Sequence, residues 1–238
     1  MLKFAIIFIF LSPFLQAQNL DSLVNAKEYR WLYEQIIAEQ SRQSLPAESF
    51  KSFRVHLLDT YQKFPKPADM VSKNLKSVKN IIGQITYASI IRKWYKYDVA
   101  KNSKNELVHN VRIHLKNPTP DDLISFNERL QMAENLWNAG RIQTNFKYSF
   151  KFEIVNNPAK AHFSVRIADS TRGPYDTVWG RDWPPNVIAH EVGHMLGLGD
   201  EYQTVSGQFD CLRTSMMCTA WSGQHLGHEY YFILRRLF

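Results

Sequence analysis

The stretch that most limits what this chain can become is His190-Glu191-Val192-Gly193-His194-Met195-Leu196-Gly197-Leu198-Gly199-Asp200-Glu201-Tyr202, which reads H-E-x-x-H-x-x-G-x-x-D. On an α-helix, residues four apart lie one turn above each other, so His190 and His194 face the same way. Two imidazoles so placed can bind one Zn²⁺ at about 2.0–2.1 Å each. Glu191 sits beside them on the same helix, placed to take a proton from a water that the ion activates. Gly197 suits the left-handed residue that commonly ends a helix, and the turn it permits would swing Asp200 back as a third ligand. Three protein ligands plus one open position mark a catalytic zinc rather than a structural one. The competing interpretation is an ordinary polar helix face, since H-E-x-x-H alone arises by chance in some chains. The glycine spacing, the later carboxylate and the apolar filling of Val192, Met195, Leu196 and Leu198 all favour the metal.

The opening residues form a separate unit. Lys3 supplies a positive start, Phe4 to Leu11 is an unbroken apolar run, and Leu15-Gln16-Ala17 offers a small residue at a cleavage point. Residues 1–18 therefore read as a secretory signal peptide, too short an apolar run for a membrane-spanning helix. The expectation is a secreted or periplasmic protein, with no stable membrane insertion once that peptide is removed. Export permits disulfides, and the two cysteines, Cys211 and Cys218, could close a small loop; two buried free thiols are the alternative. The formal charge of +7 is scattered, with Arg92-Lys93 and Arg235-Arg236 the tightest pairs, so no nucleic-acid groove is expected.

With 238 residues, 45% of them hydrophobic, the chain has room for one ordinary globular domain and an extra segment. Residues 19–105 read as a mainly helical segment. Leu20, Leu23, Val24, Trp31, Leu32, Ile36 and Ile37 sit at helical spacing, Pro46 and Glu48 open a second helix, and a third runs from Ala68 to Ile82. Ile85 to Val99 fits strand or helix, and the polar Ala100 to Asn105 reads as a linker. The pattern changes from residue 106. Val111 to Leu115 alternates as a strand; Thr119-Pro120-Asp121-Asp122 caps and opens a helix with the stripe Leu123, Phe126, Leu130, Ala133 and Trp137, ended by Gly140. Phe146 to Ile154 is a half-buried strand, His162 to Ile167 another, and Tyr175 to Trp179 a short edge strand. Asp182-Trp183-Pro184-Pro185 then opens the metal-binding helix, which runs to Leu196.

The order strand, helix, several strands, metal helix, joined to the motif, resembles a metzincin-type zinc metallopeptidase. The motif is most similar to snapalysin-like members, in which Asp replaces the usual third His. The resemblance is specific over residues 184–202, loose elsewhere, and silent on residues 19–105. It implies an α+β fold: a zincin-like catalytic domain over residues 106–238, made of a twisted mixed sheet plus the zinc-binding helix, preceded by the helical segment. It implies Zn²⁺ as cofactor, His190, His194 and Asp200 as ligands and Glu191 as general base. Glu201, and Glu229 on a later segment, are the other third-ligand candidates. Such peptidases carry a methionine turn beneath the zinc; Met217 of Ser215-Met216-Met217 fits, with Met216 the alternative. Many also place a tyrosine two residues past that methionine. Here Cys218 and Thr219 occupy that region, so transition-state stabilisation falls to Tyr202, His225, His228 or Tyr230, with none favoured.

The expected function is a secreted zinc-dependent endopeptidase acting on a protein or peptide substrate. The alternatives are a zinc-dependent cell-wall amide hydrolase and a non-catalytic zinc-fold binding protein; an intact Glu191 argues against the inert version. Residues 19–105 could be a pro-segment that covers the cleft, using a carboxylate such as Asp98 or Asp69, or a docking module.

Overall fold

A computed structural model describes residues 79–87, 91–104, 106–139, 148–169, 177–200, 215–223 and 233. They form a mixed sheet and two α-helices, an arrangement compatible with the α+β class. The strands are β1 (Lys79–Tyr87), β2 (Ile91–Lys101), β3 (Leu107–Lys116), β4 (Tyr148–Ile154), β5 (Phe163–Ala168) and β6 (Val178–Gly180). The helices are α1 (Pro120–Ala139), which crosses from β3 to β4, and α2 (Pro185–Met195). Neither helix is long and apolar enough to cross a membrane.

Strand β3 is the hub. Its period-two pattern buries Leu107, His109, Val111, Ile113 and Leu115 on one face and leaves Val108, Asn110, Arg112 and His114 half-buried on the other. β4 runs parallel along one edge of β3, from Leu107↔Tyr148 to Ile113↔Ile154. The other edge is shared: antiparallel β2 covers its first half (Asp98↔Asn110) and parallel β5 its second (Ile113↔Phe163). The main chain shows the split, since Val155 donates to the Ile113 carbonyl and His162 to the Arg112 carbonyl, which point to opposite edges. β1 extends the sheet beyond β2, and β6 lies parallel to β5 at the end of the strand order.

An ionic cluster fills the fork between β2 and β5. Arg112 Nη1 donates to Asp98 Oδ2 at 2.5 Å, and His162 Nε2 lies 3.2 Å from the same oxygen. The Arg112 amide donates to His162 Nδ1 at 3.0 Å, which requires that nitrogen to be unprotonated. Burial, then the nearby Arg112 charge, accordingly hold the His162 pKa below its ordinary value.

Helix α1 starts as its residues dictate. Thr119 Oγ1 accepts from the Asp122 amide at 3.1 Å, and Asp122 Oδ2 accepts from the Thr119 amide at 3.0 Å, a reciprocal cap with Pro120 in the first turn. Its stripe of Phe126, Leu130, Ala133 and Trp137 is buried against the sheet and α2, with Leu123 half-buried. Burying Phe126 or Leu130 contributes about 1.5–3 kcal/mol each.

Several expectations for residues 19–105 are corrected. Lys79–Ile82, assigned to a third helix, is the start of β1, where Ile81 pairs with Tyr97 and Ile82 with Lys96. Cross-strand partners distant in sequence decide such a segment over its local pattern. The stretch Ile85 to Val99 is strand on both sides of residues 88–90. Ala100 to Asn105 does not separate domains: Asn102 Oδ1 accepts from the amides of Lys104 at 3.0 Å and Glu106 at 2.9 Å, closing a hairpin between β2 and β3. The expected boundary between residues 105 and 106 thus falls inside one continuous sheet. The signal peptide over residues 1–18 and the helices expected over residues 19–78 lie outside the described residues, as does Gly140. The later elements match closely; of the strand expected over Tyr175 to Trp179, Val178 and Trp179 lie in β6, Thr177 is a turn residue, and Tyr175 and Asp176 lie outside the described residues.

Candidate metal centre

Helix α2 is buried from Val187 to Met195, and its apolar residues Val187, Ile188, Ala189, Val192 and Met195 all belong to the core. Pro184 caps it and Pro185 stands at its first position. From α1, Arg129 donates to the carbonyls of Arg181 at 2.8 Å and Trp183 at 2.9 Å, fixing the approach to the helix. At the other end, the Gly197 amide bonds to the His194 carbonyl and the Leu198 amide to the Gly193 carbonyl. Gly197 takes φ 89, so these bonds form a glycine C-cap of the Schellman type. Its sequence assignment as the left-handed terminator holds.

Burial carries His190, Glu191 and His194 with the helix; they are 3%, 4% and 1% exposed. Their ligand atoms lie within 4.8 Å of one another, so the group could hold a metal ion. The two imidazoles stand edge to face, with centroids 4.8 Å apart. Each is aimed by its other nitrogen. His190 Nδ1 donates to the Met216 carbonyl at 2.8 Å and His194 Nδ1 to the Leu198 carbonyl at 2.9 Å. A carbonyl only accepts, so both Nδ1 atoms carry the proton, and in the neutral rings Nε2 presents its lone pair. This outer hydrogen bond is what metal-binding histidines ordinarily make.

The chain turned by Gly197 returns Asp200 to the same place. Its Oδ1 lies 3.1 Å from His190 Nε2 and 3.4 Å from His194 Nε2. Two lone pairs and one carboxylate oxygen converge in a buried spot. Such a gathering of acceptors is costly unless a positive charge sits among them. Protons on both rings, or one metal ion, would supply it, and the Nδ1 bonds match the metal's demand. Burial alone would raise the Asp200 pKa; with protons on both rings, hydrogen bonds and charge from His190 and His194 outweigh it and hold the carboxyl below the usual range. Asp200 therefore meets His190 and His194 as the spacing anticipated.

Beneath the helix runs the turn Ser215–Gly223. It is tied internally by Cys218 N to Ser215 O at 3.2 Å, Thr219 N to Ser215 O at 3.0 Å and Gly223 N to Thr219 O at 2.7 Å. Met216 and Met217 are fully buried. Gly193 makes their approach possible, because a Cβ there would lie 2.4 Å from Met217 Sδ and 3.1 Å from Trp137 Cζ2. Trp137 also donates through Nε1 to the Ala189 carbonyl at 2.9 Å. Met217 thus packs on the helix between the two histidine positions, while Met216 serves through its main chain.

Asp98, weighed as a carboxylate that could block the metal, is instead bonded to Arg112 at the strand fork. Cys218 is disulfide-bonded. Cys211, Asp69, Glu201, Tyr202, His225, His228, Glu229 and Tyr230 lie outside the described residues. The supporting groups missed from sequence are the carbonyls of Met216 and Leu198, which no side-chain identity announces, and Trp137, expected only as core. Compared with protein-family models, curated proteins and solved structures, the chain matches none of them.

Proposed function

We propose that the chain is an exported zinc-dependent endopeptidase with a zincin-like catalytic domain, related in design to the metzincins. The observation that carries this is the convergence of His190 Nε2, His194 Nε2 and Asp200 Oδ1, with the Glu191 carboxylate one residue from a ligand on the same helix. Two imidazoles and one carboxylate fit a catalytic zinc, which needs three protein ligands and an open position. When bound, zinc would polarise the scissile carbonyl and lower the pKa of a coordinated water from 15.7 toward about 7.

The chain's own groups do the rest. Glu191 accepts the proton given up by the attacking water and delivers it to the leaving amine nitrogen. The carbonyls of Met216 and Leu198 keep both imidazoles in the tautomer that presents Nε2. The β6 edge, next to the start of α2, is suited to align an extended peptide by main-chain pairing. Export is supported by the apolar run Phe4 to Leu11 and by the disulfide at Cys218.

The test is casein hydrolysis by the purified chain, with and without a chelator. Cleavage that stops on chelation and returns with added Zn²⁺ is the expected outcome. Cleavage indifferent to chelation, or none by a zinc-loaded chain, overturns the reading.

A further inference from the structure

One covalent feature beside the centre has no part in the chemistry above. Cys218 is 2% exposed and disulfide-bonded, and the chain's other cysteine is Cys211. It directly follows Met216 and Met217, the residues through which the Ser215–Gly223 turn meets α2. Apart from a single β-bridge at Ser215, the turn belongs to no helix or strand of the described fold. The hydrogen bonds Cys218 N to Ser215 O, Ser222 N to Thr219 O and Gly223 N to Thr219 O run within the turn. Of the turn's contacts with the helix, Asn186 Nδ2 to Gly223 O is long, at 3.5 Å. A carbonyl's direction is set by the path of its backbone, so whatever holds that path holds the Met216 oxygen 2.8 Å from His190 Nδ1.

We propose that the disulfide at Cys218 is a positioning device for His190. By cross-linking the turn just after Met216 and Met217, it keeps the Met216 carbonyl in line with His190 Nδ1 and Nε2 aimed at the metal. This rests on the metal reading of His190, His194 and Asp200. It also makes the oxidised chain the high-affinity form, in keeping with a protein that matures outside the reducing cytosol. Outer partners of metal-bound histidines typically change affinity by about 10- to 100-fold, and a change of that size is expected here.

The experiment uses the full oxidised chain and a Cys211→Ser/Cys218→Ser double variant. Zn²⁺ affinity is read by competition with a chromophoric chelator, and ligand geometry by the visible absorption of bound Co²⁺. The double variant is expected to bind Zn²⁺ about 10- to 100-fold more weakly, with shifted Co²⁺ bands. Asp122→Ala, which loosens the distant start of α1, serves as comparator and is expected to keep the wild-type affinity and spectrum. Gly223→Ala disturbs the same turn with the disulfide intact, since its Cβ would lie 2.4 Å from Met216 Cα and from the Ser215 carbonyl oxygen. It is expected to act in the same direction as the double variant. A folded double variant with unchanged affinity and spectrum overturns the proposal, as does an equal loss in Asp122→Ala. If the double variant fails to fold, the wild-type chain reduced with a phosphine decides: weaker binding with shifted bands that reverses on reoxidation supports the role, and unchanged affinity and spectrum end it. An oxidised wild-type chain that binds neither ion overturns the metal reading itself, and the positioning role with it.

Discussion

Asp200 Oδ1 stands 3.1 Å from His190 Nε2, in a spot where the Nδ1 bond to Met216 has already assigned the ring's proton to the far side. A carboxylate facing that nitrogen calls for a positive charge between them, a ring proton or a shared metal ion, and the proposed function takes the metal. Asp200→Ala should therefore cost metal affinity more than the about 10- to 100-fold typical of an outer partner. Zinc titration of the variant beside wild type checks this; equal affinity would move the third-ligand role elsewhere.

Glu191 has a different task, and its removal should have a different signature. Glu191→Ala is expected to keep stoichiometric metal and lose about 10²–10⁴-fold in peptide cleavage, the range for a positioned general base. Metal content and casein turnover measured on one preparation make the comparison. Turnover that survives with the metal in place would remove Glu191 from the reaction.

Gly197 connects backbone conformation to the centre. At φ 89, an Ala side chain would be strained by about 1–2 kcal/mol. Gly197→Ala should lower stability by about that amount in urea unfolding and also weaken metal binding, because the same turn delivers Asp200. Loss of stability with unchanged affinity would show that Asp200 reaches its place independently of this turn.

Asp122 governs a pH-dependent part of stability at the start of α1. Arg181 Nε donates to its Oδ1 at 2.9 Å, and Thr119 completes the cap from the other side. The Arg181 hydrogen bond, opposed by burial and aided by Thr119, holds the Asp122 pKa well below the usual carboxylate range. A folded-state pKa below the unfolded value of about 3.9 gives stability that is full above that pH and is lost as pH falls through it. Asp122→Asn should cost about 1 kcal/mol near neutrality, and the difference from wild type should shrink below about pH 4. Urea unfolding of both proteins at pH 7 and pH 3 measures it; a constant difference contradicts the account.

The parts that were legible in the sequence are those set by local periodicity. His190, Glu191 and His194 follow from one helical turn, Gly197 from the need for a left-handed residue, and α1 from Thr119, Pro120 and its apolar stripe. The parts that were not legible depend on distant partners. Lys79–Ile82 has no strand signature by itself and becomes β1 only because Tyr97, Lys96 and their neighbours lie alongside. Asn102 in a polar run fits a linker or a tight hairpin equally, until Glu106 closes over it. The Met216 and Leu198 carbonyls were invisible for a simpler reason: every residue has a carbonyl, and only the folded path selects these two.

The central claim is that His190, His194 and Asp200 together hold one metal ion. Elemental analysis of the purified full chain, beside His190→Ala/His194→Ala, tests it most directly. One zinc per wild-type chain and none in the variant is the predicted result. Wild-type chain without a stoichiometric metal ion, or with zinc retained after both histidines are removed, would contradict it.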